Sequence, residues 1–125
     1  MEISSLDHLV LTVASIGRTC DFYESVLGMT RQTFGNGRTA LLFGSQKLNL
    51  HEAGNEFEPK AEVPTPGSAD LCFVVDSVAA AEARLKEKDV EIIEGPVART
   101  GAAGALLSVY CRDPDGNLIE LSEYR

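Results

Sequence analysis

The chain has no tryptophan, two histidines (His8 and His51) and three cysteines (Cys20, Cys72 and Cys111). The cysteines lie far apart inside apolar periodic segments with no Cys-x-x-Cys spacing. That excludes a disulfide framework and a zinc knuckle, and reads as reduced core thiols of a cytoplasmic protein. Positive charge is also scarce: 11 Lys and Arg stand against 19 Asp and Glu, a formal charge of -8. Such a surface repels nucleic acid and anionic membranes, and no polybasic patch offsets it. No apolar run is long enough to span a bilayer, and Met1-Glu2-Ile3-Ser4-Ser5 lacks the basic region and apolar stretch of a secretion signal. What remains is 44% hydrophobic and 24% charged residues over 125 positions, enough for one compact unit or two small halves sharing a core.

Periodicity divides the chain into two similar halves. LDHLVLTV at Leu6 to Val13 alternates as a strand, with Leu9, Leu11 and Val13 on one face and His8, Val10 and Thr12 on the other. Ser15 then caps a helix over Ile16, Thr19, Cys20, Tyr23, Val26 and Leu27, which Gly28 stops. Strands over Thr30 to Phe34 and Arg38 to Phe43 flank a Gly35-Asn36-Gly37 turn, and a further strand, KLNLHE, follows from Lys47 to Glu52. Ala53 to Ser68 is proline- and glycine-rich and without period, a linker or flap. Asp70 to Val75 is a strand again, Ser77 caps a second helix through Lys88, and Val90 to Glu94 resumes β character. Gly95 to Gly104 reads as a small, mobile glycine-rich loop. Leu106 to Arg112 and Asn117 to Tyr124 form a hairpin around a Pro-Asp-Gly turn.

This is a duplicated β-α-β-β-β unit, with module one at 4–54, a linker at 55–68 and module two at 69–125. Ser77 stands 62 positions after Ser15, an offset that also sets Leu71 on Leu9 and Asp70 on His8. Aligning KLNLH with GNLIE at an offset of 69 sets Glu120 on His51. The expected class is α+β, two curved sheets each with a helix on its convex side, pairing into a cup. Two imidazoles and two carboxylates converging there are costly to bury unpaired, and a divalent cation resolves the cost. His8, His51 and Glu120 are the candidate metal ligands, with Asp70 a weaker fourth. Tyr110 and Ser108 share the face of Glu120 and are candidate donors to substrate oxygens, while Arg99 and Arg38 read as surface counter-charges.

LDHLVLTV, FYESVLGM and RDPDGNLIEL together resemble the vicinal oxygen chelate superfamily, which includes glyoxalase I, fosfomycin and bleomycin resistance proteins, methylmalonyl-CoA epimerase and extradiol dioxygenases. The resemblance covers nearly the whole chain, and the order and short connections are similar to a small bacterial glyoxalase-like "virulence protein" subgroup. It implies two βαβββ modules, a homodimer, a small-molecule substrate and one divalent ion per site, whether Zn, Ni, Co, Mn or Fe. Position by position, the family's ligands fall on His8, His51, Asp70 and Glu120. Bacterial glyoxalase I usually has glutamate at the second of these and histidine at the third, so the donor set here is permuted.

The leading expectation is a metal-dependent lyase or isomerase. The substrate chelates the ion through vicinal oxygens, and Glu120, or Asp70 if free, takes the proton α to the carbonyl. An iron(II) dioxygenase using His8, His51 and Glu120 as a two-His, one-carboxylate triad is one rival. An antibiotic-binding or antibiotic-modifying resistance protein is another.

Overall fold

A serine after each alternating strand starts a helix, and this local signal organises both halves. The computed structural model describes residues 1–125 and divides into two units, Met1–Pro66 and Gly67–Arg125. The first contains β1 (His8–Val13), α1 (Ile16–Ser25), β2 (Thr30–Phe34), β3 (Arg38–Phe43) and β4 (Gln46–Glu52). Its sheet runs in the order β1-β4-β3-β2, with β1 parallel to β4 and the other pairs antiparallel. The second contains β5 (Asp70–Val74), α2 (Val78–Glu87), β6 (Glu94–Thr100), β7 (Ala105–Arg112) and β8 (Leu118–Tyr124). Its order, β5-β8-β7-β6, repeats the first, again with one parallel pair, β5 and β8. The α+β class and the twin βαβββ units agree with the sequence reading.

Ser15 Oγ accepts the Arg18 N–H at 3.2 Å and Ser77 Oγ that of Ala80 at 3.1 Å, each satisfying a donor that the first helical turn leaves unpaired. A second group completes each helix start. Glu52 Oε1 accepts the Ile16 N–H at 3.1 Å, and Glu123 Oε1 that of Val78 at 2.8 Å, so a carboxylate from the last strand of each unit meets the positive end of its helix. Both glutamates point to the helix-bearing face, where Val13, Leu41, Leu48 and Leu50 are buried with Cys20 and Tyr23 in the first unit. Val109, Cys111, Ile119 and Leu121 are buried with Val78 and Leu85 in the second. Each fully buried aliphatic contributes roughly 1.5–3 kcal/mol, so these faces hold the units together and leave the opposite faces available for chemistry.

Strand and loop exchange places here: residues 90–93, expected as β, lie outside any strand, while Gly95 to Thr100, expected within a loop, belong to β6. Glu94–Thr100 pairs with β7, with a register shift between Glu94 and Val97 that absorbs Gly95 and Pro96 as a bulge. Gly95 has φ +102°, and a Cβ there would collide with the Ser108 carbonyl oxygen, so the glycine is what lets the two backbones approach. Glycine and proline, which give the stretch its loop-like composition, mark the bulge. Cys72 also departs from expectation. It is exposed on the helix-free face, while Cys20 and Cys111 are buried, and burial pushes the Cys111 thiol up to about 11.

The pairing registers also revise the repeat. Val10 lies opposite Asn49 and Cys72 opposite Glu120, so Glu120 corresponds to Asn49, not to His51. Glu123 likewise corresponds to Glu52, 71 positions earlier, and Ser122 to His51. The two-residue slip leaves every side chain on its expected face, because strand side chains alternate with a period of two.

Candidate functional site

Strand alternation gives the second unit a polar face opposite its helix. Glu120 and Ser122 on β8, Cys72 on β5, and Ser108 and Tyr110 on β7 all point there, with Cys72 and Tyr110 directly flanking Glu120 across the sheet. Ser108 Oγ donates to Glu120 Oε2 at 2.7 Å, and Ser122 Oγ approaches the same oxygen at 3.1 Å. The two hydroxyls lie 2.6 Å apart, and Cys72 Sγ lies 3.2 Å from Ser122 Oγ. Partial burial of its sulfur raises the Cys72 thiol pKa, against the Ser122 bond that lowers it, so the thiol stays protonated at the outer end of a chain of contacts that ends on the carboxylate. Both serines are fully buried. Ser108, expected to donate to substrate, instead directs its hydroxyl to Glu120.

Beside this network, Arg99 Nε donates to Tyr110 Oη at 2.9 Å, and its guanidinium also pairs with Glu94 at 3.3 Å. Burial raises the Tyr110 pKa, opposed by the Arg99 bond. The Glu120 carboxylate, which faces the phenol across the sheet, also raises it, so the phenol stays protonated at neutral pH with Arg99 donating to its oxygen and its own proton turned to Glu120.

In the first unit His8 stands at the start of β1, with Nδ1 2.8 Å from Asp7 Oδ2. A carboxylate on one ring nitrogen orients an imidazole and leaves Nε2 for a metal or a substrate. His51 is placed differently. It is level with Thr12, whereas His8 is level with Lys47. Four residues of strand, roughly 13 Å, separate the two rings' backbones. The His51 ring is buried edge-on to Phe57 at 5.7 Å, and Arg38 lies over the same phenyl ring at 4.5 Å from its centroid. Between the two histidine rungs lies Asn49, 9% exposed, whose Oδ1 accepts no hydrogen bond from the protein. Sequence reasoning passed over Asn49, and only the corrected register shows that it occupies the rung of Glu120. Asp70, at the exposed start of β5, occupies the rung of His8.

Within either unit, no three His, Cys, Asp or Glu side chains gather as a metal-ligand group. Judged by donor chemistry, His8, with its ring oriented by Asp7, and Glu120, with one oxygen held by serines, suit a divalent ion. Asn49 adds an unpaired amide oxygen. His51, turned into Phe57, suits one least.

Against known families, residues 5–121 match the model of the glyoxalase/bleomycin resistance protein/dioxygenase superfamily. The chain belongs to that superfamily. Within it, the glyoxalase domain-containing protein RDO1 of Mycosarcoma maydis is 59% identical over 126 residues, covering 100% of this chain and 71% of that protein. The virulence protein STM3117 of Salmonella typhimurium is 54% identical over 99% of this chain and 87% of its own length. Its crystal structure superposes with a TM-score of 0.98 over 100% of both chains. More distantly, the metallothiol transferase FosB of Staphylococcus epidermidis is 28% identical over 97% of this chain and 82% of its own. The superfamily thus includes named enzymes, while the two more similar relatives are named for a domain and for virulence. No helix is long and apolar enough to cross a membrane.

Proposed function

We propose that this member of the superfamily is a divalent-metal-dependent lyase or isomerase of glyoxalase type, acting as a homodimer on a small molecule with two vicinal oxygens. The observation that carries the reading is the carboxylate of Glu120, aimed by the hydroxyls of Ser108 and Ser122 from two adjacent strands. A merely solvated glutamate needs no such buried support.

His8 and Glu120 are the ligands in this reading, with Asn49 and Asp70, on the corresponding rungs, completing the set. His51, the third ligand expected from sequence, is assigned instead to holding Phe57. When bound, the ion supplies Lewis-acid polarisation of a substrate carbonyl. The protein's part follows from its own groups. Asp7 fixes the ring of His8. The serines hold Glu120 Oε2, which leaves Oε1 to take the proton α to the carbonyl, and the carboxylate would help hold an ion when one is bound. Tyr110, its oxygen engaged by Arg99, turns its proton from Glu120 to a substrate oxygen as negative charge develops there.

The test is deuterium exchange at the α-carbon of 2-hydroxyacetophenone in D2O, followed by NMR with Zn, Ni, Co, Mn or Fe(II) supplied. Exchange that requires metal and falls about 100-fold in Glu120→Gln supports the reading. Exchange unchanged in Glu120→Gln, or none with any of these ions, overturns it.

A further inference from the structure

We infer that the cleft beside Glu120, before any ion is bound, selects a neutral molecule with a short apolar or aromatic arm over one bearing its own carboxylate or phosphate. The inference rests on the functional reading above for the role of Glu120, and on separate observations for what lies beside it. A cleft of about 390 Å³ in the second unit opens at Glu120 and is walled by Cys72, Val74, Ala102, Leu106 and Tyr124. The Ala103 N–H donates to Tyr124 Oη at 3.4 Å, which ties the β6–β7 turn to β8 and fixes one rim. Walls of this kind take a phenyl ring or a short alkyl chain, and the volume lies at the small end for ligand pockets.

Charge decides the rest. The lining contains one carboxylate and no Lys or Arg. The nearby cation, Arg99, already pairs with Glu94 and Tyr110, and Arg112 donates to the Gly116 carbonyl at 3.1 Å. In the first unit, Arg38 sits over Phe57 and Lys47 over Phe34 at 4.1 Å. Before an ion is bound, an anionic substrate finds no cation in this cleft to hold its charge, lies beside Glu120, and approaches a chain of formal charge -8, whereas a bound divalent ion would add positive charge and narrow the preference. A neutral α-hydroxy ketone keeps the two vicinal oxygens without that repulsion.

The experiment is an NMR shift titration of 2-hydroxyacetophenone and of mandelate. Both carry a phenyl ring and vicinal oxygens, and only the second has a carboxylate. Titrations run on metal-free and on zinc-loaded protein, so failure of metal uptake leaves the metal-free comparison intact and the two readings fail separately. The expected result in the metal-free protein is at least tenfold tighter binding of the neutral ketone. Val74 is 65% exposed, so its substitution is compatible with the fold, and an unchanged melting temperature checks this. Val74→Trp, which fills the cleft, weakens the ketone at least tenfold. Val74→Lys, which adds the missing cation, narrows the preference at least fivefold. Equal or tighter binding of mandelate, unchanged ketone binding in Val74→Trp, or no ketone binding at millimolar concentration overturns the inference.

Discussion

Ser108 and Glu120 sit diagonally across two neighbouring strands with 2.7 Å between hydroxyl and carboxylate, the serine fully buried and the glutamate half-buried. The buried hydroxyl, held between Glu120 and the Ser122 hydroxyl 2.6 Å away, orients the half-buried carboxylate. Ser108→Ala is expected to cost about 1 kcal/mol of stability and to slow α-proton exchange about tenfold, with little change in ligand affinity. Urea unfolding beside exchange kinetics measures both, and a full-rate Ser108→Ala enzyme contradicts the positioning role.

Asn49 presents the opposite case, a buried acceptor without a protein donor. Removing the unpaired buried amide oxygen relieves its desolvation cost, so Asn49→Leu is expected to stabilise the metal-free protein by about 1 kcal/mol while weakening metal binding. Denaturant unfolding without metal, followed by metal titration, reads the two effects. Destabilisation with metal affinity unchanged argues that Asn49 serves packing alone.

His51 gives a pH dependence of definite sign. Its imidazole is held below the ordinary value of 6.5, first by burial and then by the Arg38 charge, with Glu56 and Glu58 opposing. Below pH 6.5 the unfolded chain takes up a proton that the folded chain resists, so this contribution to stability is present above 6.5 and is lost as pH falls towards the folded value. The fall in melting temperature between pH 7 and pH 5 should therefore shrink in His51→Gln. An equal fall in both proteins contradicts the assignment.

The twin carboxylate caps are testable as a pair. Glu123→Ala removes the acceptor for the Val78 N–H and Glu52→Ala that for Ile16. Each is expected to cost about 0.5–2 kcal/mol in denaturant unfolding, the shorter bond of Glu123 the more. A neutral result for both means that the serine caps suffice alone.

Local signals in the sequence carried most of the fold. The Gly35-Asn36-Gly37 turn bounds β2 and β3, with Gly35 and Gly37 at positive φ. Ser15 and Ser77 cap the helices as their spacing implies. In the last hairpin, Asp113 Oδ1 accepts the N–H groups of Asp115 and Asn117 while Asn117 Oδ1 accepts that of Ala69, so the Asp-Pro-Asp-Gly-Asn run works as a turn that also ties in the start of β5. The misses are non-local. The β1–β4 and β5–β8 pairings join strands tens of residues apart, and no local residue pattern sets their register. The repeat was therefore aligned two residues out, and Asn49 escaped notice. The network from Cys72 through Ser122 and Ser108 to Glu120 draws on three strands, and β6 was hidden behind a glycine and a proline. The strand faces of His8 and Glu120 were legible because each stands on a strand whose alternation is clear.

The most direct measurement is divalent-metal stoichiometry by elemental analysis on purified wild type and on His8→Ala, Glu120→Ala and His51→Ala. About one ion per chain is expected in wild type and in His51→Ala, with loss of the ion from the other two. Wild type that stays empty when metal is supplied, or full occupancy without His8 or Glu120, contradicts the metal-dependent reading.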